Sequence, residues 1–165
     1  MLDVIPRKMA LRDVRLVQAL RPFEYHSPFA DEEHTLLLCV VDDSVTSSER
    51  FKLAAEIVAA KCRYAVCWGH ECSAWDTAID CAHIATDEDF NPPDETFVMT
   101  TWHDEESIED TIEFWWMSTS FDDYDSTRLA ILILGDDAGL AAKMVAITTD
   151  LMNHWNSQEP ETQTG

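Results

Sequence analysis

Four short apolar runs, residues 36–41 (LLLCVV), 64–68 (YAVCW), 97–101 (FVMTT) and 129–134 (LAILIL), alternate with longer stretches whose apolar residues recur at helical spacing. Each run is short and has Asp, Gly or Pro nearby, so each reads as a strand. The first and last, apolar without a break, belong in a sheet covered on both faces. Between and after the runs, residues 47–61 place Phe51, Leu53, Ala54, Ile57 and Val58 largely on one side. Residues 73–85 do the same with Trp75, Ala78, Ile79 and Ala82, residues 107–118 with Ile108, Ile112, Trp115 and Trp116, and residues 137–155 with Leu140, Met144, Ile147, Leu151 and Trp155. Strand and helix in strict alternation predict right-handed crossovers and an α/β fold. The expected form is a three-layer α/β/α sandwich on a mainly parallel four-stranded sheet, Rossmann-like or flavodoxin-like.

Helix starts agree with these limits. Ser107 with Asp110 and Ser73 with Asp76 put a hydroxyl at the N-cap and an acid in the first turn, whereas Ser47 with Arg50 lacks a capping box. Ahead of the first strand, Leu11, Val14, Val17 and Leu20 recur at helical spacing, which predicts an N-terminal helix over residues 9–20. Residues 21–33 (RPFEYHSPFADEE) then form a linker packed across one sheet edge. The expected division is a helix and linker over residues 1–34, an α/β domain over 35–155 and a disordered polar tail over 156–165.

Composition narrows function more than fold. The chain has 165 residues, 46% of them apolar, and 11 Lys and Arg against 32 Asp and Glu, a formal net charge of −21. A protein that binds nucleic acid directly needs a basic footprint, and an anionic membrane surface demands the same, so both partners are excluded. No apolar run approaches the ~18–20 residues of a membrane span, and the N-terminus lacks a basic segment followed by an apolar one. A cytoplasmic protein is expected. Five cysteines, an odd number partly inside apolar runs, argue against a disulfide framework and for a reducing compartment.

The charge is uneven. Residues 64–127 contain no Lys or Arg but seventeen acids, fourteen of them between residues 87 and 125. A solvated acidic surface, including one adapted to salt, is the plain reading, although five cysteines and six tryptophans sit poorly with salt adaptation. A sharper one is a docking face for a basic protein partner, of which a nucleic-acid mimic is the extreme form. Tryptophans interleaved with acids favour an interface, since aromatics anchor hot spots. The candidate partner-binding residues are Trp102, His103, Glu105, Glu106, Glu109, Glu113 and Trp116, on a non-enzymatic adaptor, inhibitor or immunity-type protein.

In open α/β sheets ligands collect beyond the carboxyl ends of the strands. If the strands carrying residues 36–41 and 129–134 are neighbours, Asp42, Asp43 and Asp136 converge on a point suited to Mg²⁺, which prefers carboxylate oxygens. That arrangement would make a small metal-dependent hydrolase or phosphotransfer enzyme. No other cofactor is expected. The segment VVDDS (residues 40–44) resembles the first acidic motif of response-regulator receiver domains, but Thr100 and Thr101 stand where a receiver carries its phosphoacceptor Asp. Residues 42–46 with Gly135, Asp136 and Asp137 also resemble haloacid-dehalogenase-type phosphatases, though Ser44 replaces their second Asp and no Lys lies between Lys61 and Lys143. Cys67, His70 and Cys72, with Cys81 and His83 downstream, are zinc ligands by type but not by spacing. Cys72 at a helix N-terminus, with His70 or His103 as base, is a candidate reactive thiol.

The string Cys67-Trp68-Gly69-His70-Glu71-Cys72 and the segment TTWHDEESIED (residues 100–110) are similar to a family of short, uncharacterised bacterial α/β proteins. In that family a W-G-x-x-C turn and a T-W-H-x-x-E-S-[LI]-E segment recur. The likeness spans about residues 36–135 by element order. It implies the α/β fold, a bacterial cytoplasmic setting, no known activity, and a rim formed by Trp68, Cys72, Trp102, His103 and Glu106, with His70 beside it.

Overall fold

The computed structural model describes residues 12–157. Within them lie five strands and four helices, in the order β1 (Asp13–Ala19), β2 (His34–Val40), α1 (Ser47–Ala59), β3 (Cys62–Gly69), α2 (Cys72–Ile84), β4 (Met99–Trp102), α3 (Ile108–Met117), β5 (Arg128–Leu134) and α4 (Ala138–Ser157). A single 3-10 turn, Asp94–Thr96, precedes β4. The strands form one sheet of order β1-β5-β2-β3-β4, and every neighbouring pair is parallel.

Two expectations are corrected. The sheet has five strands rather than four, and the segment expected as an N-terminal helix is β1, so far as it falls within the described residues. The spacing of Val14, Val17 and Leu20 suits a helix, but Asp13, Val14, Arg15 and Leu16 also alternate polar with apolar, and their burial alternates with them. Pairing with β5, from Asp13 opposite Arg128 to Ala19 opposite Leu134, decides for the strand because it satisfies backbone groups along one side of the segment. The expected tail enters the structure only at its first two residues, which continue α4; residues 158–165 and 1–11 lie outside the described part.

Side chains of the central strands alternate between two hydrophobic clusters, as a strand's period of two requires. Leu36, Leu38 and Val40 of β2 join Leu53 and Ile57 of α1 and Trp75 and Ile79 of α2. Leu37 and Cys39 instead join Ile112, Trp115 and Trp116 of α3 and Met144 of α4. The linker contributes Phe23, Tyr25 and Phe29 to the first cluster, so it runs over the face that carries α1. Helix α1 starts with a capping box one residue earlier than expected: Thr46 Oγ1 accepts from the Glu49 N–H, and Glu49 returns to the Thr46 N–H. Helix α3 is capped by Ser107 as expected, but α2 begins after Glu71, which has φ 52° and offers no side-chain cap.

His34, fully buried at the start of β2, is held as the neutral ring. Its Nδ1 donates to the Glu32 carbonyl at 3.1 Å, which leaves Nε2 to accept from the Tyr25 hydroxyl at 2.7 Å. Burial lowers its pKa, so the unfolded chain binds a proton here more readily than the folded one. Stability from this group is complete above about pH 6.5 and is lost on acidification, by up to about 1.4 kcal/mol per pH unit, until the folded-state pKa is passed. Urea unfolding at pH 7 and pH 5 checks this: His34→Gln should flatten the decline, and an unchanged slope would contradict it.

Candidate functional site

All strands point the same way, so their carboxyl ends share one edge, and the loops after β2 and β5 leave it side by side because those strands are neighbours. Asp42 and Gly135 meet there. The Val41 and Asp42 N–H groups both donate to the Leu134 carbonyl at 3.0 Å, and Gly135, at φ +121°, lies so close that a β-carbon would come 2.6 Å from Val41 Cγ2. The crevice is occupied from within. Arg21 reaches in from the linker, donating to Glu49 Oε1 at 2.9 Å, Asp42 Oδ2 at 3.2 Å and the Ser44 carbonyl at 2.9 Å. Ser44 donates to Asp42 Oδ1 through both its hydroxyl and its N–H, which lowers the Asp42 pKa, with Arg21 adding to the effect.

Asp42 is therefore satisfied by Arg21 and Ser44, and Asp43 and Asp136 do not join it around a common point. Among the described residues no three His, Cys, Asp or Glu side chains converge so as to hold a metal ion. Cys67, His70, Cys72, Cys81 and His83, zinc ligands by type but not by spacing, form no such group among the described residues either. All five cysteines are free. Cys67 and Cys72 pack in the first hydrophobic cluster, and burial is the first cause that raises both thiols. Cys72 does open α2, where burial and Asp104 raise its thiol while backbone N–H groups, first that of His103, act the other way.

The segment after β4 carries the second set of candidates. His103 is buried with its ring 4.6 Å from that of Phe114; its Nδ1 donates to Glu106 Oε2 at 2.7 Å, and its Nε2 hydrogen-bonds Thr101 Oγ1 at 3.1 Å. Trp68 Nε1 donates to the Glu106 carbonyl at 3.0 Å. Trp68, His103 and Glu106 thus meet as expected, but as a brace that fixes the loop between β4 and α3. Cys72 packs in the first cluster, and its thiol lies against the His103 backbone N–H and near Asp104, beside that brace. Trp102, at the end of the edge strand, is 55% exposed. Trp116 corrects the expected partner-binding set: it is 1% exposed, packed in the second cluster beside Trp115 with the Arg12 guanidinium 4.9 Å from its ring centroid.

The acids of residues 87–125 do not form one face. Asp94, Glu95, Asp122 and Asp123 line a cavity of about 780 Å³ together with Glu33 and Arg63, near the amino ends of the strands. Asp104, Glu105 and Glu106 lie at the carboxyl edge, and Glu109 and Glu113 follow on the exposed side of α3. Glu109 is paired with Lys143 of α4 at 2.5 Å, a cation that sequence proximity alone does not reveal. Glu71 is likewise paired, with Arg50 at 2.7 Å. Between these loops an open groove of about 450 Å³ is lined by Val40, Val41, Trp68, His70, Glu71 and Asp104.

Fold and rim together define a parallel α/β domain whose carboxyl edge is closed at its centre by an internal arginine and open beside an exposed tryptophan and acids. The chain belongs to a family described as Domain of unknown function (DUF7684), whose model matches residues 14–148. No curated protein and no solved structure matches it. No helix among the described residues is long and apolar enough to cross a membrane.

Proposed function

We propose that the protein is a non-enzymatic interaction domain that binds a basic segment of a protein partner at its carboxyl edge, in the manner of an adaptor, inhibitor or immunity-type protein. The observation that carries this reading is Trp102, a large aromatic side chain exposed at the end of β4 and followed closely by Asp104 and Glu105. Neither acid has an ion pair among the described residues. The adjoining groove is lined by Trp68 and Asp104, a setting for an Arg or Lys side chain, whereas Glu71 beside them is already paired with Arg50. Burial of an aromatic supplies affinity, and the acids supply steering and orientation. Within the expected contact set Trp102, Glu105 and Glu113 remain available, whereas His103 and Glu106 hold the loop and Glu109 is shared with Lys143.

We read the layering as the Rossmann-like or flavodoxin-like three-layer form. Strands β4-β3-β2-β5 repeat the 3-2-1-4 order of one half of a doubly wound sheet, with β1 added beyond β5. In that arrangement the usual ligand position is the crevice between β2 and β5, and Arg21 bound to Asp42 there favours the interaction reading over the enzyme alternative built on Asp42, Asp43 and Asp136.

Calorimetry with a synthetic Arg- and Lys-rich peptide tests the proposal. Binding should weaken steeply with added salt, and Asp104→Lys combined with Glu105→Lys should lower affinity by more than about tenfold, with a similar loss for Trp102→Ala. These positions are exposed, so the unfolding midpoint should hardly move. Equal affinity of the charge-reversed variant and the native chain would refute the reading.

A further inference from the structure

At the opposite edge of the sheet, where the strands begin, lies a cavity of about 410 Å³ with a mainly apolar lining. Its wall includes Val58 of α1, Lys61, Cys62 and Arg63 at the start of β3, His83 near the end of α2, and Pro93. Three properties single it out. On a chain with so few basic residues, two of them, Lys61 and Arg63, flank one cavity. The Lys61 ammonium has no ion pair or hydrogen bond among the described residues. The His83 ring nitrogens hydrogen-bond no described residue but keep contact with solvent; the ring meets the edge of Phe97 at 5.9 Å between centroids and has Asp80 and Arg63 as charged neighbours.

A ring nitrogen that is held by water alone can exchange that water for a ligand's hydrogen bond. The two carboxylates in the wall are engaged elsewhere. Glu33 is held by Arg63 Nη1 at 3.0 Å, and Asp87 Oδ2 accepts the N–H groups of Asp89 and Asn91, each at 3.1 Å. Arg63 is itself fixed: its Nε donates to the Phe97 carbonyl at 2.8 Å, and its guanidinium lies 5.5 Å and 5.2 Å from the ring centroids of Phe121 and Tyr124. The wall thus combines a mainly apolar surface with an unpaired cation and a ring N–H or lone pair open to solvent. Its volume falls in the range of small-molecule sites, which combine an apolar lining with a few placed polar groups.

We propose that this cavity binds a small organic anion, a carboxylate or a phosphate monoester carried on a compact apolar body. The anionic group meets Lys61 and a ring N–H of His83, and the apolar body lies against Val58, Cys62 and Pro93. The site is independent of the Trp102 rim at the other edge, so either can fail without the other.

Protein labelled with ¹⁵N in its histidine rings is titrated with sodium benzoate, with phenyl phosphate and, as the oppositely charged control, with benzylamine. The His83 signal is assigned by its loss in His83→Gln. At least one anion should move that signal saturably with a Kd of about 1 mM or tighter, and benzylamine should not. Response to benzoate alone identifies the ligand group as a carboxylate, to phenyl phosphate alone as a phosphate, and to both as either. Lys61→Gly should weaken binding about tenfold while the fold persists, because residue 61 has φ 66° and glycine accepts that conformation. The proposal is overturned if no anion moves the signal, if benzylamine moves it equally, or if Lys61→Gly binds as well as the native chain.

Discussion

Replacing Trp116 by alanine should cost about 3–5 kcal/mol of folding stability, and replacing Trp102 in the same way should cost almost none. The two residues look alike in the sequence, each near acids in one short segment, and only burial separates them. Trp116 is packed on its helix against the second cluster, and removing it leaves a cavity that neighbours on α4 and the sheet cannot fill without moving. Its Nε1 is buried without a hydrogen-bond partner, as is that of Trp115, so the loss is of packing rather than of a polar contact. Domains of this kind are stable by only about 5–15 kcal/mol, so the variant gives up a large fraction of the total. Urea unfolding followed by far-ultraviolet circular dichroism measures it. A Trp116→Ala protein as stable as the native chain would place this tryptophan outside the core.

An effect of similar size is expected at Gly69, which ends β3 with φ +98°. A β-carbon added there would overlap the Val40 carbonyl oxygen and lie 3.1 Å from Val40 N, and both are backbone atoms of a central strand that cannot turn aside. The same Val40 carbonyl accepts the His70 N–H at 2.9 Å, so relief of the clash would also break the hydrogen bond that ties β3 to β2 at the carboxyl edge. Gly69→Ala combines an unfavourable backbone angle with overpacking and should lose about 3 kcal/mol or more. Gly139 supplies the control. It lies inside α4 with only Asp137 Oδ1 near its missing β-carbon, at 3.5 Å, so Gly139→Ala should be neutral or stabilise by up to about 1 kcal/mol. Thermal unfolding of the two variants should shift in opposite directions, or down for Gly69→Ala alone; a Gly69→Ala protein that melts with the native chain would refute the argument.

Strands β2 and β5 were legible because a buried parallel strand must be apolar on both sides, and residues 36–41 and 129–134 show that without interruption. Strand β1 was not, because its apolar residues satisfy a period of three to four as well as a period of two, and only the presence of β5 alongside selects between them. The cap at Thr46 was readable as Thr46-Ser47-Ser48-Glu49 but was masked by the neighbouring serines. At the site, Trp68, His103 and Glu106 follow from two short motifs, whereas Arg21 closing the Asp42 crevice and Lys143 meeting Glu109 join residues far apart in the chain. Trp115 and Trp116 are adjacent on α3, where one helical stripe would bury the first and expose the second; Arg12 and the second cluster cover the other side as well.

Strand β1 has one neighbour in the sheet, β5, and the seven pairings from Asp13 opposite Arg128 to Ala19 opposite Leu134 all join residues far apart in the chain. A strand held only by such distant pairings bears the full entropy of closing the intervening loop, so this edge of the sheet is the one whose integrity depends most on the rest of the domain being in place.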